Sequence, residues 1–228
     1  MISVIIPAYN EAERIEKTLC ALHEIPDLEE ILVVDDGSTD STAQIADRAG
    51  ATVLRLPQNR GKGHALTLGV QATRGDILLL LDADLGESAT EAVKLLAPVL
   101  NDEADMTIAT FPVIPGAGGG VGLVVRLARS GIRRITGRAM IAPLSGQRAL
   151  RRAVLNETEG FAGGFGAEVG LTIDALCAGF RVLEVPTEMT HRITGRDAGA
   201  VRHRARQFLA VLCALQARRG KRCNTSPR

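Results

Sequence analysis

Apolar residues come in two rhythms along the first half of this chain. Short, nearly unbroken runs occur at Ser3–Pro7, Glu30–Asp35, Thr52–Leu56, Ile77–Asp82 and Asp105–Phe111. Their length fits strands buried on both faces of a sheet, which read as continuous rather than alternating. Between them lie stretches of helical period. Glu11 to Leu22 carries Ile15, Leu19 and Leu22 on one face, and Asn10 followed by Glu13 has capping-box spacing. Further helices are predicted from Ser38 or Thr39 to Ala49, from His64 to Thr73 and from Ser88 to Leu100. Strand and helix in strict alternation predict an α/β fold: a mostly parallel, Rossmann-like sheet flanked by helices, with right-handed crossovers.

After Phe111 the pattern changes. PVIPGAGGG is a Pro/Gly-rich loop. Val121 to Ile135 places apolar residues at 121, 124, 125, 128, 132 and 135 with Arg126, Arg129, Arg133 and Arg134 between them, a basic amphipathic helix. Pro143–Arg152 reads as a strand or turn, Glu159–Gly166 as a glycine-rich loop, Val169–Ala178 as a helix and Arg181–Pro186 as a strand. Gly199–Arg218 is helical, and GKRCNTSPR is a frayed tail. The expected organisation is an α/β half (1–111), a second, acceptor-side half of the same domain (112–198) and a C-terminal basic helix and tail (199–228).

Charge sharpens this division. The net charge is only +1, but residues 1–105 hold 8 Lys+Arg against 19 Asp+Glu, a net of −11. Residues 106–228 hold 19 against 7, a net of +12. Such a split predicts an anionic partner for the second half, or two halves that neutralise each other in the fold. Aromatics make up 3% of the chain, with no Trp and one Tyr, which argues against a stacking platform for nucleic acid. Cys20, Cys177, Cys213 and Cys223 have no metal-finger spacing and read as buried or reduced thiols of a cytosolic protein. MISVIIPAYNE has no basic leader, and no stretch reaches the roughly 20 apolar residues of a membrane span.

Candidate chemistry gathers where apolar runs stop. Asp82 and Asp84 follow the fourth run directly. Two carboxylates one residue apart at a strand's carboxyl end repel each other unless a cation lies between them, and a hard divalent ion suits oxygen ligands. A polar strand-to-loop turn is the alternative. Pro7-Ala8-Tyr9-Asn10-Glu11, Asp35-Asp36-Gly37-Ser38 and the Arg60 turn end or follow the other strands. Strand ends of one parallel sheet converge, so these groups should line one crevice. No GxGxxG or P-loop spacing is present, which argues against a nicotinamide enzyme or a Walker-type nucleotidase.

The ordered set PAYNE, DDGSTD, NRGKGHAL, DADL, SGQRALRR and GFGAE resembles family 2 glycosyltransferases over about Met1 to Arg196, with the dolichyl- or polyprenyl-phosphate sugar transferases as the nearest subgroup. The resemblance implies a GT-A fold and a Mg²⁺- or Mn²⁺-dependent, inverting transfer from a nucleoside-diphosphate sugar (UDP- or GDP-) at the cytoplasmic side. The implied acceptor is a polyprenyl phosphate; a soluble hydroxyl acceptor, or a non-catalytic nucleotide-sugar or anionic-lipid binding module, is the alternative. A nucleotidyltransferase is disfavoured, because no GxGTR-like loop follows the first strand.

By the same resemblance Pro7, Tyr9 and Glu11 would hold the nucleoside and Asp36 would accept from a base N–H. Lys62 would flank the nucleoside or phosphates, Asp82 would contact the ribose or the metal's water shell, and Asp84 would bind the metal. His191 is a candidate third metal ligand, and Arg192 and Arg196 are candidates for the diphosphate. Glu168, at a helix start after a glycine-rich loop, is the candidate base. Ser145 and Gly146 fit the acceptor-side signature, but Gln147 stands where that signature has an aromatic. The basic helix would either dock on an anionic membrane surface or form a solvated edge.

Overall fold

The computed structural model describes residues 1–111, 121–158, 160–161, 166–190, 198–221 and 223. Seven strands form one sheet: β1 (Ile2–Ala8), β2 (Glu30–Asp35), β3 (Thr52–Arg55), β4 (Ile77–Leu80), β5 (Met106–Thr110), β6 (Arg148–Arg151) and β7 (Val182–Pro186), in the order β3-β2-β1-β4-β6-β5-β7. All neighbours are parallel except β6, which runs antiparallel to both β4 and β5. Helices α1 (Ile15–His23), α2 (Thr42–Arg48), α3 (Lys62–Ala72), α4 (Ala92–Leu100), α5 (Val121–Thr136), α6 (Arg152–Asn156), α7 (Ala167–Cys177) and α8 (Ala198–Ala217) accompany it, and a 3₁₀ turn, Gly86–Glu91, precedes α4.

The continuous apolar runs have the expected cause. Along β4, Leu78 and Leu80 face one core layer with α3, α5 and α7, while Leu79 faces the other with α1 and α4. Alternate side chains point to opposite faces, so a strand covered on both needs apolar residues at every position. All three leucines are buried, and each contributes about 1.5–3 kcal/mol by removal from water. Gly69 lets α3 lie close on β1 and β2, since a Cβ there would run into Ile5 Cγ2.

Several boundaries differ from expectation. Helix α1 starts at Ile15, not Glu11, and Arg14 stands at its N-cap with no side-chain cap bond. Asn10 has φ +56°, and its Oδ1 accepts from the Thr39 N–H. Its amide oxygen therefore laces two loops together, and the Asn10/Glu13 capping box does not form. Helix α2 starts at Thr42, because Asp40 accepts from the Thr42 N–H in an Asx turn that delays the helix.

The basic helix α5 forms where expected, but its apolar stripe is core. Val124, Ala128 and Ile132 are buried, and α5 packs on α7 and α8. Those three residues of the stripe are spent inside the protein. No helix among the described residues is long and apolar enough to cross one. The thiol expectation is corrected for one pair: Cys177 and Cys223 form a disulfide, whereas Cys20 and Cys213 are free thiols and exposed.

Candidate active site

The carboxyl ends of β1, β2 and β4 open on one side of the sheet, and the loops there are cross-braced. The Asn10 N–H donates to Ser38 Oγ and the Glu11 N–H to Thr42 Oγ1. Asp36 is buried, with Oδ1 accepting from the Arg60 N–H at 2.9 Å and Oδ2 from the Gly61 N–H at 2.7 Å. Its carboxylate thus fixes the turn that launches α3. Gly37, at φ +74°, touches that turn so closely that a Cβ would sit 2.6 Å from the Gln58 carbonyl carbon, so only glycine fits. Pro7 lies in β1 opposite Val34, and Tyr9 just beyond the strand is 45% exposed and does not fill the core.

Helix α3 begins with Lys62, whose ammonium is the centre of the constellation. Lys62 Nζ donates to Asp82 Oδ1 at 2.5 Å and lies 3.7 Å from Glu168 Oε1, in the first turn of α7. Burial works against its charge, but Asp82 and Glu168 outweigh that penalty and hold its pKa above the ordinary lysine value. The other oxygen of Asp82, Oδ2, accepts from Gln147 Nε2 at 2.6 Å, and Gln147 Oε1 accepts from Ser145 Oγ at 3.2 Å. Gly146 lies against the Lys62 ammonium, where a Cβ would collide with Nζ. The Lys62 turn and Asp82 meet in one crevice as expected, and the fold adds Glu168, Ser145 and Gly146 to them. Asp84 lies beyond them, partly buried, with its backbone carbonyl accepting from Arg14 Nη1 at 3.4 Å. His191, Arg192 and Arg196 lie outside the described residues.

Two further residues belong to the site. Gln147, which stands where the signature has an aromatic, pins Asp82. Arg148 is 1% exposed inside an apolar layer. The available signal was the polar pair Gln147-Arg148 at the head of a strand whose next residues, Ala149 and Leu150, are apolar.

Metal fit follows from the donor set. Among the described residues no three His, Cys, Asp or Glu side chains are grouped to hold an ion. Asp82 is held through both oxygens by nitrogen donors, and Asp84 two residues on brings a second carboxylate to the same strand end. One or two carboxylates completed by substrate phosphates and water is the usual environment of Mg²⁺. The residues fit an ion that arrives with a diphosphate.

A parallel sheet interrupted by one antiparallel strand, with a lysine-anchored aspartate at the tip of β4, defines a GT-A-type fold. The chain belongs to glycosyl transferase family 2, whose family model matches residues 3–159. It is similar to glucosyl-3-phosphoglycerate synthase of Mycobacterium tuberculosis, at 34% identity over 196 residues, covering 76% of this chain and 60% of that protein. It is also similar to glycosyltransferase AglJ of Haloferax volcanii, at 32% identity over 206 residues, 86% of this chain and 65% of that one. The chain therefore spans about 60% of the length of the mycobacterial synthase. A crystal structure of that synthase with Mn²⁺, UDP-glucose and phosphoglyceric acid superposes with a TM-score of 0.80 at 30% identity, covering 96% of this chain and 80% of that one. Another holds Mg²⁺ and UDP. These relatives correct the polyprenyl-phosphate subgroup: the synthase is named for, and solved with, a phosphoglycerate.

Proposed function

We propose that this protein transfers a hexosyl group, glucose in the first instance, from a UDP-sugar to the hydroxyl of a small phosphorylated acid such as phosphoglycerate, with Mg²⁺ or Mn²⁺. The observation that carries the reading is the Lys62 ammonium held between Asp82 and Glu168 at the tip of β4, in a chain 30% identical to a synthase solved with UDP-glucose and phosphoglyceric acid. A metal bound through Asp84 would neutralise charge on the departing diphosphate. The protein's own groups do the rest. Tyr9, Pro7 and Glu11 border the nucleoside, and the Asp36-braced turn sets where α3 begins. Lys62, fixed in direction by Asp82, supplies a preorganised cation beside the reacting centre. Glu168 is the carboxylate nearest that ammonium on the acceptor side, where an alcohol must lose its proton. Burial of the α5 apolar stripe supports a soluble acceptor over a lipid one.

The test is transfer from UDP-[¹⁴C]glucose with Mn²⁺, offered 3-phosphoglycerate, glycerol 3-phosphate or polyprenyl phosphate in detergent. Labelled product with a phosphoglycerate, lost in Asp84→Ala, is the expected outcome. Transfer to polyprenyl phosphate alone, or wild-type turnover in Asp84→Ala, overturns the reading.

A further inference from the structure

Among the described residues Arg148 is the largest fully buried side chain and the least expected. In the sheet register it stands opposite Leu80 on β4 and Ile108 on β5, both buried, where a leucine or methionine would pack. Among the described residues no carboxylate lies within ion-pair distance of it, and its Nη2 makes no hydrogen bond. Burial lowers its pKa to about 10, so it stays charged at neutral pH. A buried, incompletely paired charge is costly, and replacing such groups with apolar residues is often neutral or stabilising. Fold stability therefore gives no reason for an arginine here.

Its bonds give one. Arg148 Nε donates to the Ser145 carbonyl at 2.9 Å, and Nη1 donates to Thr172 Oγ1 at 3.0 Å. Thr172 Oγ1 donates in turn to the Glu168 carbonyl at 2.8 Å. On the other side Ser145 Oγ donates to Gln147, and Gln147 to Asp82. With Lys62 bridging Asp82 and Glu168, the links close into a ring: Lys62, Asp82, Gln147, Ser145, Arg148, Thr172, Glu168. Four separate elements meet in it, namely α3, the tip of β4, the turn into β6 and the first turns of α7. Arg148 is the only member that joins the β6 side to α7.

We propose that Arg148 is a positioning residue for the transfer reaction: it holds the Ser145–Gln147 turn against α7 and so sets the gap between Asp82 and Glu168 that the Lys62 ammonium spans. The inference rests on the transferase reading given above. A planar fork is needed, because its donors diverge toward two acceptors on different elements; a lysine ammonium is a point charge that reaches one.

The experiment uses the full chain with Mn²⁺, UDP-glucose and 3-phosphoglycerate, below the unfolding temperature of each variant. Arg148→Lys and Thr172→Val should each lower kcat by about 10²-fold, the cost of roughly 1 Å of misplacement, with donor KM changed less than about threefold. Thr172→Ser keeps the hydroxyl and should recover most of the rate lost in Thr172→Val. The double variant Arg148→Lys/Thr172→Val should be no slower than the worse single, since both open the same ring. Near-wild-type kcat in both singles, or losses that multiply in the double, overturns the inference. If Arg148→Lys does not fold, the Thr172→Val and Thr172→Ser pair decides alone. If the wild type releases no UDP from any nucleotide sugar, the transferase reading fails and amide exchange over Ala167–Thr172 tests the ring without turnover. Faster exchange in Thr172→Val but not in Thr172→Ser supports it, and equal exchange in both overturns it.

Discussion

Substituting Gly146 by alanine puts a methyl group where the Lys62 ammonium now sits. The backbone accepts the change, since Gly146 is not among the residues with positive φ. Asp82 Oδ1, at 3.5 Å from the new Cβ, is already at ordinary contact distance. The conflict is thus confined to the far end of one flexible side chain, which must retreat by roughly 1 Å. At an effective dielectric constant near 20, lengthening a 2.5 Å ion pair by that amount weakens it by about 2 kcal/mol. Lys62 and Asp82 are each about a third exposed, and solvent screening brings the cost below about 1 kcal/mol. For a chain of this size that is a Tm loss of no more than ~2–4 °C. Turnover should suffer far more, because a cation displaced by roughly 1 Å from a reacting centre costs about 10²-fold. Thermal melts alongside UDP release from UDP-glucose with Mn²⁺ separate the two effects. A Gly146→Ala protein that keeps its rate within about threefold would refute the placement of Lys62 at the reacting centre. A Tm loss beyond about 10 °C would show instead that Gly146 serves the fold.

Other consequences are checked as directly. Gln147→Leu removes the Gln147 donor from Asp82 Oδ2 and should lower kcat about tenfold, read from UDP release. Ile132→Ala should cost about 3 kcal/mol, because the residue is core, and should not change the fraction of protein sedimenting with anionic vesicles. Arg181 makes a fork to Asp105 and also reaches Asp102. Burial opposes the Asp105 charge, but the Arg181 guanidinium and backbone N–H outweigh it and hold its pKa below the ordinary 3.8. A carboxyl depressed in the folded state stabilises above its unfolded pKa, and that contribution is lost as pH falls through the folded value. Arg181→Met should therefore be less stable than wild type at pH 7, with the difference shrinking in urea melts as pH falls below the ordinary 3.8 and through the folded Asp105 value. An equal gap at pH 7 and pH 3 would contradict that coupling.

Local sequence carried the sheet well. Runs such as Ile77–Leu81 are apolar at every position for one physical reason, burial on both faces, and β1, β2 and β4 lie close to where those runs predicted. Helix starts were less secure. Asn10 and Ser38 have good capping chemistry, but their oxygens were taken by a neighbouring loop, which only tertiary structure reveals. The α5 stripe declared an amphipathic helix correctly, yet periodicity does not say whether an apolar face meets a bilayer or α7 and α8. For the site, the aspartates at the β4 tip could be read because they end a strand. The Lys62–Glu168 contact could not, since it joins residues far apart in the chain through two separate helices. Gln147 and Arg148 were hidden differently: their importance lies in what each donates to, and residue type alone does not show that.

The reversed strand β6 has a bearing on how the chain is assembled. By sequence β5 belongs with the four strands before it, yet it has no strand neighbour among them; it is joined to β4 only through Arg148–Arg151, and on its other side to β7. During synthesis β1 to β4 can zip together as they emerge, whereas β5 has to wait, resting on α4, until later segments leave the ribosome. A chain released just after Phe111 would leave β4 with one unsatisfied border and β5 with both of its own, and borders of that kind recruit strands from other molecules.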